Sequence, residues 1–316
     1  MIFKVEVAPC IGTFPRPAKV LGASQPAILT SMTSFIAKKS LGQHFLHAPN
    51  VVGAMIHAAR IEPDMNVLEI GPGKGVLTIG LLKAGAKVIA VEKDERAIEY
   101  MKENFATEIA SGKLKLIQGD TLDINPADIG LEKDNYIIVA NIPYYITGEI
   151  IRKFLTAADY PARMVMLVQK EVAKRIVAAD GKESILSMSV KAYGEPKYIC
   201  TVPKRSFRPM PKVDSAVIFI DKISKDFFET GGESVENEQK MVKKRAVNEK
   251  AFFEVVRAGF AHKRKVLRGN LAKIIPAQAL EKLWKNKNLP FGARAENITI
   301  EQWKEIAEEA SLFHTG

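Results

Sequence analysis

The sequence predicts an α/β fold: a mostly parallel, doubly wound sheet with one reversed strand near its end, followed by a small all-α domain. Two observations predict it. Short apolar runs alternate with segments of helical spacing as far as residue 220, and after residue 249 the helical spacing continues without strands. The predicted strands lie near residues 66–70, 87–91, 114–118, 136–141, 163–168, 197–202 and 215–220.

The segments between these strands have the spacing of amphipathic helices. The first helix is predicted to run from Asn50, a possible N-cap, to Arg60. Further helices are predicted over residues 76–83, 94–105, 149–155 and 170–178.

Composition divides the chain into four regions. Residues 1–34 are rich in Pro, Ala, Ser and Thr, and we interpret them as the product of a start codon upstream of a true start near Met32. A disordered tail or a transit peptide are the alternatives. The sheet domain is expected over residues 35–222, a linker or insertion over residues 223–248, and the helical domain over residues 249–316.

The charge and composition of the chain limit its partners. The formal net charge of the 316 residues is +10, which favours a polyanionic partner, although the charge alone would also fit a ribosomal surface, an anionic membrane or plain solubility. No apolar run reaches the roughly twenty residues that a membrane span requires. Neither the two cysteines nor the five histidines have metal-ligand spacing, so no metal is expected. We therefore expect a soluble, cytoplasmic protein.

One predicted strand ends in an unusual polar and aromatic step. The apolar run 136–140 is followed by Asn141, Ile142, Pro143 and Tyr144. Because proline continues neither a strand nor a helix interior, the chain must stop there and present Asn141 and Tyr144 at the carboxyl edge of the sheet. An amide oxygen beside a flat aromatic ring suits a planar base with an exocyclic amino group.

A glycine-rich turn follows the first strand of the sheet. Gly71, Gly73 and Gly75 alternate after Glu69, and a predicted helix begins at Val76. Glycines at such a turn allow the backbone to approach a ligand closely. The spacing differs from the dinucleotide pattern G-x-G-x-x-G and resembles motif I of class I methyltransferases, which wraps S-adenosylmethionine; binding of another nucleotide is the alternative.

Two further strands end in carboxylates. Glu92 ends the strand after the glycine turn and can accept hydrogen bonds from both hydroxyls of a ribose. Asp120 follows the next strand and can accept from an adenine amino group. Each acid alone would be interpreted as a surface strand cap, but successive strands that all end in ligand-capable residues indicate one binding site.

The chain as a whole resembles the ribosomal RNA adenine dimethyltransferases, a family that includes small-subunit enzymes and the erythromycin-resistance methyltransferases. The resemblance extends from about residue 38 to residue 220 and continues into the helical region. The most specific motifs are Asn-Ile-Pro-Tyr at Asn141 and Phe-x-Pro-x-Pro-Lys-Val at Phe207. The matching stretches are residues 39–46, the glycine turn, Glu92, Gly119-Asp120, residues 141–145 and residues 206–217.

The resemblance implies a role for individual positions. It implies that S-adenosylmethionine is the cofactor and that its ligands are His44, Leu46, Gly71, Glu92, Asp120 and Asn141. The family often has Asn at the position of His44. It also implies that the Asn141 side chain and the Ile142 carbonyl accept hydrogen bonds from the target amino group, while Tyr144 and Phe207 stack on the flipped base.

A basic segment follows the linker. Between residues 240 and 270 there are ten Lys or Arg against two Glu. In a member of this family such a segment is expected to contact RNA phosphates, and an ordinary solvated helix face is the alternative. The residues expected to bind RNA are Arg257, Lys263, Arg264, Lys265 and Arg268.

The resemblance therefore implies a specific activity. We expect S-adenosylmethionine-dependent dimethylation of two adjacent adenines in the 3′-terminal hairpin loop of small-subunit rRNA, performed by a monomer on an immature 30S subunit. A large-subunit rRNA methyltransferase of the macrolide-resistance type is one alternative. A ribosome-biogenesis or transcription factor that kept the fold but lost catalysis is the other.

Overall fold

The computed structural model describes residues 37–38, 41–229, 233–235, 241–243, 246–262, 264–286 and 289–312. The extension predicted over residues 1–34 lies outside this part of the chain. The described strands are β1 (Phe45–Leu46), β2 (Asn66–Ile70), β3 (Lys87–Glu92), β4 (Leu114–Gln118), β5 (Ile137–Asn141), β6 (Arg163–Gln169), β7 (Glu195–Val202), β8 (Phe207–Arg208), β9 (Ser215–Asp221), β10 (Glu233–Val235) and β11 (Met241–Lys243).

Seven of these strands form one central sheet in the order β4-β3-β2-β5-β6-β9-β7. Strands β2, β3, β4, β5 and β6 run parallel to one another, and β9 runs antiparallel to β6. All seven predicted strands are present, and the predicted fold class is confirmed. The chain leaves β2 towards β3 on one side and reaches β5 on the other, so ligands are expected at the carboxyl ends of β2 and β5.

Helices cover the sheet and build the C-terminal region. They are α1 (Pro49–Ala59), α2 (Val76–Lys83), α3 (Glu95–Asn104), α4 (Ala106–Ala110), α5 (Thr147–Thr156), α6 (Lys170–Val177), α7 (Ile185–Lys191), α8 (Asp226–Glu229), α9 (Glu249–Phe260), α10 (Leu267–Leu271), α11 (Ala277–Asn286) and α12 (Ile300–Ser311).

The N-cap predicted for α1 at Asn50 is wrong. The cap is Ala48, without a side-chain hydrogen bond, and Pro49 begins the helix. Proline suits this position because the first N–H groups of a helix have no partner inside the helix and the φ angle of proline is already helical.

The apolar strand residues account for the core of the sheet. Val67, Val88 and Val139 on β2, β3 and β5 are fully or almost fully buried. They pack with Met55 of α1 and Leu81 of α2 in one cluster. Near-continuous apolar strands are typical of a parallel sheet that helices cover on both faces, and burial of this kind holds the strand ends in fixed positions.

The described chain divides into two compact units. The sheet unit contains the described residues up to 173 and residues 196–223, and the helical unit contains residues 174–195 and the described residues from 224 onwards. The expected linker contains α8 and an antiparallel hairpin of β10 and β11. The predicted functional boundaries at residues 222 and 248 stay predictions. No helix in the described part of the chain has the length and apolarity needed to cross a bilayer.

Packing in the helical unit depends on one close approach between helices. A Cβ atom on Gly259 of α9 would lie 2.2 Å from the indole of Trp303 on α12. The glycine therefore allows the two helices to pack tightly, and Trp303 is fully buried against them. The side chain of Asn270 donates to the carbonyl of Gly259 at 2.6 Å, which ties α10 to α9.

Candidate active site

The glycine turn lies between the end of β2 and the start of α2. Gly71, Gly73 and Gly75 have φ angles of 67°, 55° and 74°, in the left-handed region that favours glycine. A Cβ atom on Gly75 would lie 2.4 Å from the ring of Phe105, and one on Gly73 would lie 3.0 Å from the ring of Phe45. Side chains at these positions would therefore displace the rings that pack on the turn.

Glu92, at the end of β3, holds the glycine turn. One of its carboxylate oxygens accepts from the Gly73 N–H at 3.1 Å and the other from the Asp94 N–H at 2.8 Å. The side chain is buried. Burial raises the pKa of Glu92 above its usual value, and the two backbone hydrogen bonds oppose this shift.

A second carboxylate beside Glu92 connects the start of α3 to the segment that contains Gln43. Asp94 accepts two hydrogen bonds from the Arg96 guanidinium, at 3.0 and 2.6 Å, and one from the Gln43 amide at 3.0 Å. The Arg96 hydrogen bond is the main cause that lowers the pKa of Asp94 to about 2. Neither Gln43 nor Asp94 was predicted as a site residue, and only the N-cap position of Asp94 could have indicated that it is fixed.

Asp120 follows β4 with both oxygens engaged. It pairs with the ammonium of Lys93 at 2.7 Å and accepts from the Leu122 N–H at 2.9 Å. The hydrogen bond from Lys93 is the main cause that lowers the pKa of Asp120. Asp120 is thus ionised near neutral pH and held in one orientation.

A hydrogen bond to His44 fixes the orientation of the side-chain amide of Asn141, the last residue of β5. Its Nδ2 lies 3.1 Å from the carbonyl oxygen of His44. A carbonyl oxygen only accepts hydrogen bonds, so the amino group of the carboxamide must face it. The Oδ1 atom therefore points away from His44 and is the acceptor that the side chain can offer to a ligand.

Tyr144 and His44 pack together beside Asn141. Their ring centroids are 5.7 Å apart with an interplanar angle of 25°. The Tyr144 hydroxyl lies 2.6 Å from Ser215 Oγ, and burial raises the pKa of the phenol. The Nδ1 atom of His44 lies 2.7 Å from the Pro209 carbonyl oxygen and must donate to it. Both rings are thus held by hydrogen bonds at their polar atoms.

Phe207 is buried and does not line the site. In the β1–β8 pair it lies opposite Leu46, and its ring is 1% exposed within the hydrophobic core. Stacking on a base would require this ring to leave its packing. The stacking role of Phe207 stays a prediction, and the buried position explains why the motif alone could not locate the ring.

A cavity of about 320 Å³ lies at the carboxyl ends of the strands. It brings together every residue expected to bind the cofactor. Three of the four predicted catalytic residues, Asn141, Ile142 and Tyr144, also line it, and Phe207 does not. The lining residues expected from the sequence are His44, Leu46, Gly71, Glu92, Asp120, Asn141, Ile142 and Tyr144.

Glu69 also lines this cavity, although no ligand role was predicted for it from the sequence. It is 1% exposed, and its Oε2 accepts from Thr78 Oγ1 at 2.7 Å. Its Oε1 is buried and has no hydrogen-bond partner in the described part of the chain. Burial is the main cause that raises the pKa of Glu69 to about 8, and the charge of Glu92 adds to it. A cation in the cavity would favour the ionised form.

The predicted RNA-binding residues belong to the helical unit. We define the basic surface as Arg257, Arg264, Lys265 and Arg268; Lys263 lies outside the described residues. Helix α9 ends at Phe260, so Arg264 and Lys265 stand on the turn before α10 and not on a helix face. Arg257, Arg264 and Lys265 are exposed, and Arg268 is half-buried.

Comparison with known proteins gives one consistent result. The model of the family described as "Ribosomal RNA adenine dimethylase" matches residues 34–312. A "Ribosomal RNA small subunit methyltransferase A" from Dehalococcoides mccartyi is 36% identical over 302 residues, which are 93% of this chain and 97% of the relative. The protein of the same name from Mycoplasmopsis pulmonis is 37% identical over 270 residues, which are 84% of this chain and 96% of the relative.

Solved structures agree with this result. A dimethyladenosine transferase from Plasmodium falciparum superimposes with a TM-score of 0.66 at 25% identity, over 83% of this chain and 96% of that protein. The 23S rRNA methyltransferase ErmE superimposes with a TM-score of 0.64 at 24% identity, over 84% of this chain and 99% of that protein, and this likeness shows the fold.

Proposed function

Because the chain belongs to the ribosomal RNA adenine dimethylase family, we propose that it dimethylates the exocyclic amino groups of two adjacent adenines in the 3′-terminal hairpin loop of small-subunit rRNA. The methyl donor is S-adenosylmethionine. The names of the curated relatives support the small subunit as the substrate. The observation that carries the proposal is the Asn141 carboxamide, whose Oδ1 is turned away from His44 in a cavity that Tyr144 also lines.

The residues around the cavity fit the proposed cofactor. S-adenosylmethionine supplies an electrophilic methyl group on a positively charged sulfur and also has an ammonium group. The Oε1 atom of Glu69, which is buried and has no hydrogen-bond partner among the described residues, is an acceptor suited to a cationic ligand. Glu92 and Asp120 offer fixed carboxylates for a ribose and an adenine amino group.

The chemistry at the target amine follows from Asn141 and Ile142. The nitrogen of an adenine amino group is a poor nucleophile because its lone pair is delocalised into the ring. Two acceptors, Asn141 Oδ1 and the Ile142 carbonyl, would draw its hydrogens out of the ring plane and localise the lone pair. The same fixed dipoles stabilise the positive charge that develops on nitrogen.

Tyr144 positions the base in this proposal. Its ring stands beside His44 and is held by Ser215, so it offers a fixed aromatic face. Stacking on such a face contributes about 1–3 kcal/mol per base. A base inside a helix cannot reach the cavity, so the adenine must be flipped or lie in a single-stranded loop. Alignment of the nitrogen with the methyl carbon supplies much of the remaining acceleration.

The proposal also covers the roles of the two regions, the oligomeric state and the form of the substrate. We assign catalysis to residues 35–222 and RNA contacts to the helical region from residue 249, where the basic surface would neutralise phosphates. A monomer that acts in the cytoplasm on an immature 30S subunit is the simplest form of the proposal. No step requires a metal ion.

The test is a methyl-transfer assay with purified protein and labelled S-adenosylmethionine, run in parallel on small subunits and on large subunits that lack the modification. We expect label in the small-subunit rRNA and new primer-extension stops at two adjacent adenines near its 3′ end. The Asn141→Ala variant serves as the inactive control. Label in large-subunit rRNA instead would favour the macrolide-resistance type. RNA binding without transfer to either RNA would indicate a factor that has lost catalysis.

A further inference from the structure

Phe291 is the most exposed large apolar side chain in the described part of the chain, at 77%. It lies in the turn between α11 and α12, in the helical unit. An aromatic ring left in water loses the free energy that its burial would contribute. A single exposed ring is ordinary at a protein surface, so its surroundings decide whether it has a use.

The backbone on both sides of Phe291 is held firmly. The N–H of Leu267 donates to the Ala293 carbonyl at 2.8 Å, and the Ala293 N–H donates to the Pro290 carbonyl at 3.0 Å. The Trp284 indole N–H donates to the same Pro290 carbonyl at 3.3 Å. Leu289 is buried. The ring is therefore displayed on a fixed turn that is bonded to the start of α10.

One face of this ring already carries a cation. The guanidinium carbon of Arg268 lies 5.4 Å from the ring centroid of Phe291, within the range of a cation–π contact. With Arg268 over one face and the ring still mostly exposed, the other face is open to a flat partner. A planar guanidinium on an aromatic ring makes a layered surface of the kind on which nucleic-acid bases stack.

The Leu267–Ala293 hydrogen bond joins the turn of Phe291 to a segment that carries further cations. It brings Arg294 next to the turn that carries Arg264 and Lys265, and all three side chains are exposed. None of these three cations, nor Arg268, forms a salt bridge within the described part of the chain. An aromatic ring among unpaired cations is complementary to a base and its flanking phosphates. A protein partner would instead need to be acidic and apolar together.

We propose that Phe291 and Arg268 form a base platform, on which an unpaired RNA base other than the target adenine stacks, with Arg264, Lys265 and Arg294 contacting the flanking phosphates. The proposal rests on the proposed function in one respect, that the substrate is RNA. It assigns to the helical unit a sequence-tolerant stacking contact in addition to charge.

The test compares Phe291→Ala with the wild type in equilibrium binding to a naked in vitro transcript of the 3′ region of small-subunit rRNA. Loss of one stacked base should weaken binding between about five-fold and about a hundred-fold. The slope of log K against log salt should not change, because no cation is removed. Leu312→Ala is the matched control, since Leu312 is also exposed in the helical unit and has no cationic partner in the described contacts.

A second variant reports the contact itself. Trp284 and Trp303 are both buried and are the two tryptophans of the chain. Phe291→Trp therefore introduces the exposed indole, which should keep wild-type affinity and lose fluorescence when the transcript binds. Cofactor affinity and melting temperature should match the wild type in both variants, because Phe291 is exposed and does not line the cavity.

Unchanged affinity of Phe291→Ala for the transcript, or an indole that the transcript does not quench, would overturn the base platform. A loss confined to whole subunits, with naked RNA bound normally, would also overturn it and indicate a protein partner. These outcomes leave the proposed function standing if the wild type methylates small subunits. A wild type that neither binds nor methylates RNA would instead refute the proposed function.

Discussion

The cavity in the sheet unit and the basic surface in the helical unit hold their charged side chains in opposite ways. In the cavity, Glu92 and Asp120 each have both oxygens engaged by N–H groups or a lysine. On the basic surface, Arg264 and Lys265 are exposed and form no salt bridge within the described residues.

This difference indicates two kinds of recognition. Groups fixed by neighbouring hydrogen bonds act through their positions, so a change at one atom should have a large effect that salt hardly alters. Exposed cations act through their number, so removal of one cation should reduce RNA affinity only slightly, and salt should screen its contribution. Four changes test this contrast, from the largest expected effect to the smallest.

Asn141→Ala should have the largest effect and the most specific one. The variant loses the oriented Oδ1 acceptor, and by analogy with removal of one fixed group from a transition-state pocket kcat should fall by about 10²–10³. Cofactor affinity, measured by calorimetric titration, should fall far less than kcat, because the other expected cofactor ligands remain in place. Equal losses of kcat and of cofactor affinity would contradict the role assigned to this residue.

The matched control for Asn141 is Asn66→Ala. Asn66 begins β2, and its Nδ2 also donates to a backbone carbonyl, that of Asn135, at 3.4 Å. In a parallel sheet it lies at the edge opposite to the end of β5. The control loses a comparable amide hydrogen bond without touching the cavity, so its kcat should stay close to that of the wild type.

Glu69→Gln should change how the stability of the cofactor-free protein depends on pH. Burial raises the pKa of Glu69 to about 8 from a usual 4.5, so the folded protein keeps a proton there that the unfolded chain loses. Its contribution to the free energy of unfolding is complete below pH 4.5 and is lost as pH rises towards 8. Between about pH 5 and pH 7 the loss reaches up to about 3 kcal/mol.

Urea denaturation at a series of pH values checks this prediction. As pH increases, the unfolding free energy of the wild type should fall relative to that of Glu69→Gln. The reason is that glutamine does not titrate, so the variant lacks this source of pH dependence. A constant difference from pH 5 to pH 8 would show that Glu69 titrates normally. Excess cofactor should reduce the pH dependence, since a cation beside Oε1 favours the ionised carboxylate.

Strand ends were the features that the sequence predicted best, for a physical reason. Glu92 and Asn141 end the largely buried strands β3 and β5, and Asp120 follows the partly exposed strand β4. In a parallel sheet the topology alone brings such positions to one edge. Their separation along the chain therefore did not matter. Helix α1 starts at Pro49, one residue before the predicted cap at Asn50. A hydrophobic pattern does not decide which of two neighbouring residues begins a helix.

Features that depend on contacts between distant residues could not be predicted. The burial of Phe207 follows from the pairing of β1 with β8 and from the core behind it. The contact between Arg268 and Phe291 joins positions that only the folded turn brings together. The sequence shows Glu69 as an acid near the end of an apolar strand. That one of its oxygens bonds Thr78 and the other has no partner in the described part of the chain follows only from the folded positions of the neighbouring residues.

Glu92→Ala should weaken cofactor binding. The variant loses a carboxylate that can accept from a ribose and that also holds Gly73 and the backbone of Asp94. Charged hydrogen bonds of this kind contribute about 1.5–3 kcal/mol, so affinity should fall about ten- to a hundred-fold. Calorimetric titration measures the change, and the exposed Glu95, three residues further on, provides Glu95→Ala as a control with unchanged affinity.

Removal of charge from Lys263, Arg264 and Lys265 together should have the smallest effect at a single salt concentration and the clearest salt signature. For every phosphate that is no longer neutralised, the slope of log K against log salt should decrease in magnitude by roughly 0.7–0.9. RNA binding measured from low to high salt gives this slope, while cofactor affinity should not change. The exposed Lys83 and Lys102 of the sheet unit supply the control, and their removal should leave the slope as it is. If the triple variant keeps the wild-type slope, the basic surface is an ordinary solvated one and the contrast with the cavity loses its functional meaning.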